Sequence, residues 1–153
     1  MSSSDWTAVA RIYAAGLATG LATFETEVPS WETWDAAHLE APRLVAEDCR
    51  EVVGWIAVSR VSRRPAYRGV VEHSVYVAQA ARGRGVGRAL LDGLLAAAPA
   101  HGIWTIQTSV LDTNEASLRL HEAAGFRVVG RRERIGRLAG EWRDTLLLEH
   151  RLP

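Results

Sequence analysis

With 153 residues, 48% of them hydrophobic and 24% charged, the chain is expected to fold as a single domain, residues 1–153, around a sizeable core. Its 18 basic and 18 acidic residues cancel, which excludes a broad electrostatic attraction to nucleic acid or an anionic membrane, and no apolar run reaches the roughly 20 residues that span a bilayer. The lone Cys49 excludes an internal disulfide and, between Asp48 and Arg50, makes no metal-ligand cluster; no metal is expected, and a reducing, cytoplasmic setting is.

Trp6, Val9, Ala10, Ile12, Tyr13 and Leu17 recur at helical spacing behind Ser4 or Asp5 as N-cap, predicting a first helix that ends between Gly16 and Gly20. Ser30, followed by Glu32, Thr33 and Trp34, starts a shorter second helix. The loop between them, residues 20–26, carries Phe24 between two threonines and is placed to line a pocket. Residues 44–47 and 52–61 read as an antiparallel hairpin, and residues 68–78 as a third strand. A helix then aligns Val86, Leu90, Leu94 and Ala97 on one stripe, and residues 103–110 alternate as a strand. Asp112 or Thr113 caps a further helix that Gly125 stops; residues 126–132 and 141–150 finish as strands joined by a loop. This order is mixed α/β, antiparallel in its first half, with one parallel crossover through the helix that starts at Val86.

The chemistry concentrates where the third strand meets that helix. Val71, Glu72, His73, Ser74, Val75, Tyr76 and Val77 make an apolar strand bearing one carboxylate, and Arg82, Gly83, Arg84, Gly85, Val86, Gly87 and Arg88 make a basic glycine turn. A helix N-terminus presents unpaired N–H groups and partial positive charge, so glycines that admit an anion and arginines that attract it suit a pyrophosphate. The same residues also suit a tight strand-to-helix connection with solvated arginines. A G-x-G-x-x-G dinucleotide fingerprint is excluded, because the glycines fall at every second residue and residue 88 is Arg.

Glu72 is the candidate base, since a carboxylate on so apolar a strand is placed to take a proton from an incoming amine; its alternative is an ion pair with Arg68 or Arg64. Asn114, Ser117 and His121, at i, i+3 and i+7, share one helix face, which either meets a cofactor or is solvated.

Arg82, Gly85 and Gly87 fall on the defined positions of an R/Q-x-x-G-x-G/A signature, and residues 114–126 match N-x-x-A/S-x-x-x-Y/H-E-x-x-G-F. On these motifs the chain, from Asp5 onward, resembles the GNAT superfamily of N-acetyltransferases. His121 stands where many members carry tyrosine. With residues 71–77 and the closing stretch that begins Gly140, Glu141, Trp142, Arg143, it resembles the phosphinothricin acetyltransferase branch, which acetylates phosphinothricin, methionine sulfoximine and methionine sulfone.

That resemblance implies the GNAT fold, a mixed sheet of about six strands flanked by about four helices. In the family a first strand normally precedes the first helix; here only Met1 to Ser4 do, so a truncated or late start is expected in place of the loss of a native edge strand. It implies acetyl-CoA as co-substrate, its pyrophosphate on Arg82, Gly83, Arg84, Gly85, Val86, Gly87 and Arg88, and its pantetheine arm along Val75 and Val77 and against Asn114 and Ser117. Glu72 would be general base and His121 general acid toward the coenzyme thiolate. Arg64 and Tyr67, which match R-x-A-Y-R, would bind the substrate's carboxylate, and Phe24 would wall its pocket.

A homodimer is implied as well. Direct transfer to an α-amino group in a ternary complex is expected, because Cys49 has no setting for an acyl-enzyme. Val70, where threonine is common, and residues 15–21, which lack residues common in herbicide-detoxifying members, are departures that bear on the substrate. The rival readings are an acetyltransferase of protein N-termini or other amines, which an open cleft would favour, and a non-catalytic acyl-CoA-binding domain.

Overall fold

The computed structural model describes Met1–Pro153. Its helices are α1 (Trp6–Leu17), α2 (Trp31–Ala37), α3 (Val86–Ala97) and α4 (Glu115–Ala123), and its strands β1 (Arg43–Asp48), β2 (Glu51–Arg60), β3 (Val70–Val77), β4 (Thr105–Leu111), β5 (Arg127–Leu138) and β6 (Glu141–Arg151). The strands form one open sheet in the order β1-β2-β3-β4-β6-β5. Only β3 and β4 run parallel, joined through α3 as the sequence predicts. No helix is long and apolar enough to cross a membrane.

Period-two alternation sorts the strand residues onto two faces. Ile56, Val58, Val71 and Ile106 point to one face and pack with Leu90, Leu91 and Leu94 of α3. Leu91 and Leu94 are fully buried, each contributing about 1.5–3 kcal/mol. Trp55, Ala57 and Tyr76 point to the other face, against Val9, Ile12 and Tyr13 of α1 and Trp34 of α2. Glu72 and Ser74 therefore share the α1 face with Tyr76, while His73 and Val75 share the α3 face with Val71.

Several local details depart from the sequence reading. Asp5 does not cap α1 with its side chain; a 3-10 turn, Ser3–Asp5, leads into the helix, and the Asp5 carboxylate accepts from the Ser2 amide at 2.7 Å. Asn114, not Asp112 or Thr113, caps α4: its Oδ1 accepts from the Ser117 amide at 3.1 Å, while Asp112 pairs with Arg131. The segment between the last two strands is no loop, because β5 continues past a bulge at Arg132/Gly136 and turns at Ala139 and Gly140. Cys49 and Arg50, at φ 50° and 69°, make the two-residue turn between β1 and β2, and the Cys49 thiol is exposed.

What positions the site is the end of the β3–β4 pairing. Val70, Val71 and Glu72 pair with Thr105, Ile106 and Gln107, and beyond Glu72 the two strands part. The wedge so opened is roofed on one side by α4 and on the other by the residue 20–26 loop.

Candidate active site

A cavity of about 180 Å³ fills this wedge. β3 contributes Glu72, His73 and Val75, β4 contributes Thr108 and Ser109, and α4 contributes Ser117 and His121. The loop predicted to line a pocket does so through Ala22, Thr23 and Phe24, with the Phe24 ring lying over Gly136 of β5.

Glu72 is half-buried and lines the cavity, and Gln107 Nε2 donates to its Oε2 at 3.3 Å. It makes no ion pair with Arg64 or Arg68, the alternative left open by the sequence. Gln107 is invisible in the sequence as a partner, because it becomes adjacent only through the parallel register of two strands 35 residues apart.

His121 is buried, and its ring is held on both sides. Nδ1 lies 2.7 Å from the Ser117 carbonyl oxygen and 3.3 Å from the Ser117 hydroxyl, and Nε2 lies 3.1 Å from Nε2 of His73. Burial holds His121 below the ordinary imidazole range, and burial together with the neighbouring His121 holds His73 well below it. Both rings are thus neutral at neutral pH. His73 lines the cavity and, like Gln107, was missed by sequence reasoning; it reads as one more residue of an apolar strand. Asn114 also lines the cavity, but both ends of its amide are engaged, Oδ1 as helix cap and Nδ2 donating to the Leu21 carbonyl at 2.9 Å.

The glycine turn lies between β3 and α3. Gly83 and Gly85 take φ of 72° and 82°, and Gly85 is the N-cap of α3 with no side-chain cap bond. The first helical bond is Ala89 N to Gly85 O at 2.9 Å, so the amides of residues 83–88 have no acceptor within the chain. A Cβ at Gly83 or Gly85 would meet nothing within 4 Å, which leaves the turn open to a bulky anion. A diphosphate therefore fits the residues present.

Three turn residues also make contacts within the chain. At Gly87 the missing side chain makes room for a neighbour: a Cβ there would lie 3.0 Å from Leu120 Cδ2. Arg84 donates to Asp48 at 2.8 Å and holds that carboxyl below its ordinary range, and Arg88 pairs with Asp92 at 2.7 Å while reaching the Ala123 carbonyl. Arg82 alone of the three arginines has no ion pair, and Val86 and Val77 flank the turn from α3 and β3. Arg64 and Tyr67 lie on an exposed 3-10 turn, Pro65–Tyr67, and neither lines the cavity.

The two parallel strands part at a cavity lined by a carboxylate, and the amides that open the crossover helix stand free to take an anion. The model of the acetyltransferase (GNAT) family matches residues 7–126, and the chain belongs to that family. It is 40% identical to the phosphinothricin N-acetyltransferase of Alcaligenes faecalis over 97% of this chain and 78% of that one. It is 36% identical to the L-methionine sulfoximine/L-methionine sulfone acetyltransferase of Pseudomonas aeruginosa over 71% and 63%. Its fold matches, at a TM-score of 0.88 and 30% identity, the crystal structure of a GNAT superfamily phosphinothricin acetyltransferase from Sinorhizobium meliloti in complex with AcCoA, covering 99% of this chain and 85% of that one.

Proposed function

We propose that the chain transfers the acetyl group of acetyl-CoA to the α-amino group of a small amino acid or analogue of the phosphinothricin, methionine sulfoximine or methionine sulfone type, by direct attack in a ternary complex. One observation carries this reading: Glu72, a carboxylate with no cation paired to it, lines a cavity at the point where β3 and β4 part. The small cavity, covered by Ala22, Thr23 and Phe24, favours a compact amine over a protein N-terminus. The relatives named for amino-acid analogues agree with it.

Acetyl-CoA supplies an acetyl thioester already activated for attack. The free amides of residues 83–88, with Arg82 as fixed charge, hold its diphosphate, and Val75 and Val77 flank its arm. Glu72 takes one proton of the substrate ammonium, which frees the lone pair that forms the new C–N bond; as the C–S bond breaks, the second proton of that nitrogen passes to the departing thiolate. His121, neutral and donating through Nδ1 toward Ser117, steadies the departing thiolate by hydrogen bonding through the Ser117 hydroxyl rather than as a charged acid. Phe24 forms the wall of the substrate pocket. The working form is a homodimer in the cytoplasm.

The test is a thiol-release assay against phosphinothricin, methionine sulfoximine, methionine sulfone and the ordinary amino acids. Glu72→Gln is expected to lower kcat by about 10²–10⁴-fold with coenzyme affinity kept. An unchanged kcat at neutral pH removes Glu72 from the role, and acetyl-CoA binding without thiol release for any amine overturns the enzymatic reading.

A further inference from the structure

The cavity can neutralise only one end of an amino acid. Its lining includes one carboxylate, Glu72, and no lysine or arginine, and burial keeps its two histidines neutral. The ammonium of a zwitterionic substrate is directed to Glu72. Its carboxylate, leaving water at the same time, needs a cation at the rim of the cavity. Arg64 and Tyr67, to which the resemblance gives that task, stand on the Pro65–Tyr67 turn and outside the lining.

Strand register supplies a different cation. Glu72 pairs with Gln107, so Gln107, Ser109 and Leu111 of β4 share its face of the sheet. Leu111 opposes Thr145 of β6, and Thr145 opposes Arg132 of β5, which brings the Arg132 side chain onto that face too. From the edge strand it leans back over β6, because its Nη1 stands 3.5 Å from Oγ of the cavity-lining Ser109. It is the one arginine whose hydrogen bonds reach a lining side chain. Arg132 is exposed and enters no ion pair, so the other donors of its planar fork are free. Arg143, two residues before Thr145 on the same face, is instead paired with Glu141 at 2.9 Å. The floor beside Arg132 is open as well: Gly130 continues the row of Ser109 and Leu147 onto β5 without a side chain, and a Cβ there would meet nothing within 4 Å.

We propose that Arg132 is a specificity-determining residue for the amine, its guanidinium taking the substrate's carboxylate in a charge-assisted contact at the cavity rim, beside the Ser109 hydroxyl. The inference rests on the proposed transfer to an α-amino acid, and it assigns selection for the carboxylate to β5 in place of the Pro65–Tyr67 turn. Arg132 holds the far end of the substrate and touches no reacting atom, so it acts on KM and not on kcat.

The experiment pairs a substrate change with a residue change. Thiol release from acetyl-CoA is measured with methionine sulfone and phosphinothricin, and with the primary amine left when the carboxylate of each is removed, for the wild type, Arg132→Gln and Arg64→Gln. Arg132→Gln is expected to raise KM for the two amino acids, lowering kcat/KM by about 10- to 100-fold, and to leave the carboxylate-free amines within about twofold of wild type. Those amines also report that the variant is folded, and where they bind without being acetylated their inhibition constants take the place of kcat/KM. An equal loss on all four compounds marks a structural role and overturns the proposal. So does a selective loss in Arg64→Gln with none in Arg132→Gln. Amino acids acetylated as well by Arg132→Gln as by the wild type overturn this inference alone, whereas a wild type that acetylates no amine overturns the proposed function and this inference with it.

Discussion

Adding one methyl group to Gly16 sets two effects of known size against each other. Alanine in a helix is favoured over glycine by about 1 kcal/mol. A Cβ at Gly16, however, would lie 2.5 and 2.6 Å from Cδ1 and Cε1 of Tyr76. That ring cannot swing aside: it stacks on Trp55 with centroids 4.9 Å apart and meets Tyr13 at 4.9 Å, and Tyr13 in turn packs edge-on against Trp55. Overpacking of this kind costs about 1–3 kcal/mol, so Gly16→Ala should be destabilised by up to about 2 kcal/mol. At roughly 2–4 °C per kcal/mol for a chain of this size, Tm falls by several degrees. Gly93→Ala is the control, because its Cβ meets only the flexible end of Leu44, at 3.0 Å, and the helical gain there is unopposed. Scanning calorimetry of both variants decides the matter, with a second readout in the KM for the amine, since Tyr76 lines the cavity and its displacement should weaken substrate binding. A Gly16→Ala protein as stable as Gly93→Ala would refute the packing account.

Gly85→Ala meets no neighbouring atom but must hold φ at 82°, so it should lose about 1–2 kcal/mol of stability and weaken coenzyme binding in calorimetric titration. Gly87→Ala, whose added Cβ presses on Leu120 and which needs no positive φ, should leave coenzyme affinity closer to wild type, and equal losses would contradict this difference. The buried His73 and His121 have folded pKa values below the unfolded value of roughly 6.5, so the unfolded chain takes up protons that the folded chain does not. Their contribution is therefore complete above about pH 6.5 and is lost as pH falls toward the folded values, at up to about 1.4 kcal/mol per pH unit for each ring. Urea denaturation at pH 7.5 and 5.5 should show this loss and a smaller one in His73→Phe, and identical losses would contradict it.

The signals that were legible are those whose cause lies within a few residues. The stripe at Val86, Leu90 and Leu94, the Ser30 cap accepting from the Thr33 amide at 3.3 Å, and the Gly125 stop at φ 84° are each set by neighbours one helical turn away or less. The glycine turn was readable for the same reason, since its open amides follow from the backbone alone. Contacts that the sequence hides have the opposite cause. The Arg84 charge is engaged by Asp48, 36 residues earlier, and the Arg88 guanidinium reaches Ala123, 35 residues later.

His73 shows why such pairings decide the chemistry of the site. Strand alternation correctly puts it on the α3 face with Val71 and Val75, and an apolar face gives no reason to expect an imidazole to act. Its partner arrives from α4, 48 residues along the chain, and the proton arrangement comes from a helical carbonyl that no pattern of residue types encodes. The Ser117 carbonyl can only accept, so His121 holds its proton on Nδ1, and His73, across the contact between the two rings, holds its own on Nε2. A sequence states which groups can exchange a proton, but the fold, by bringing Ser117, His121 and His73 into line, decides which nitrogen holds it.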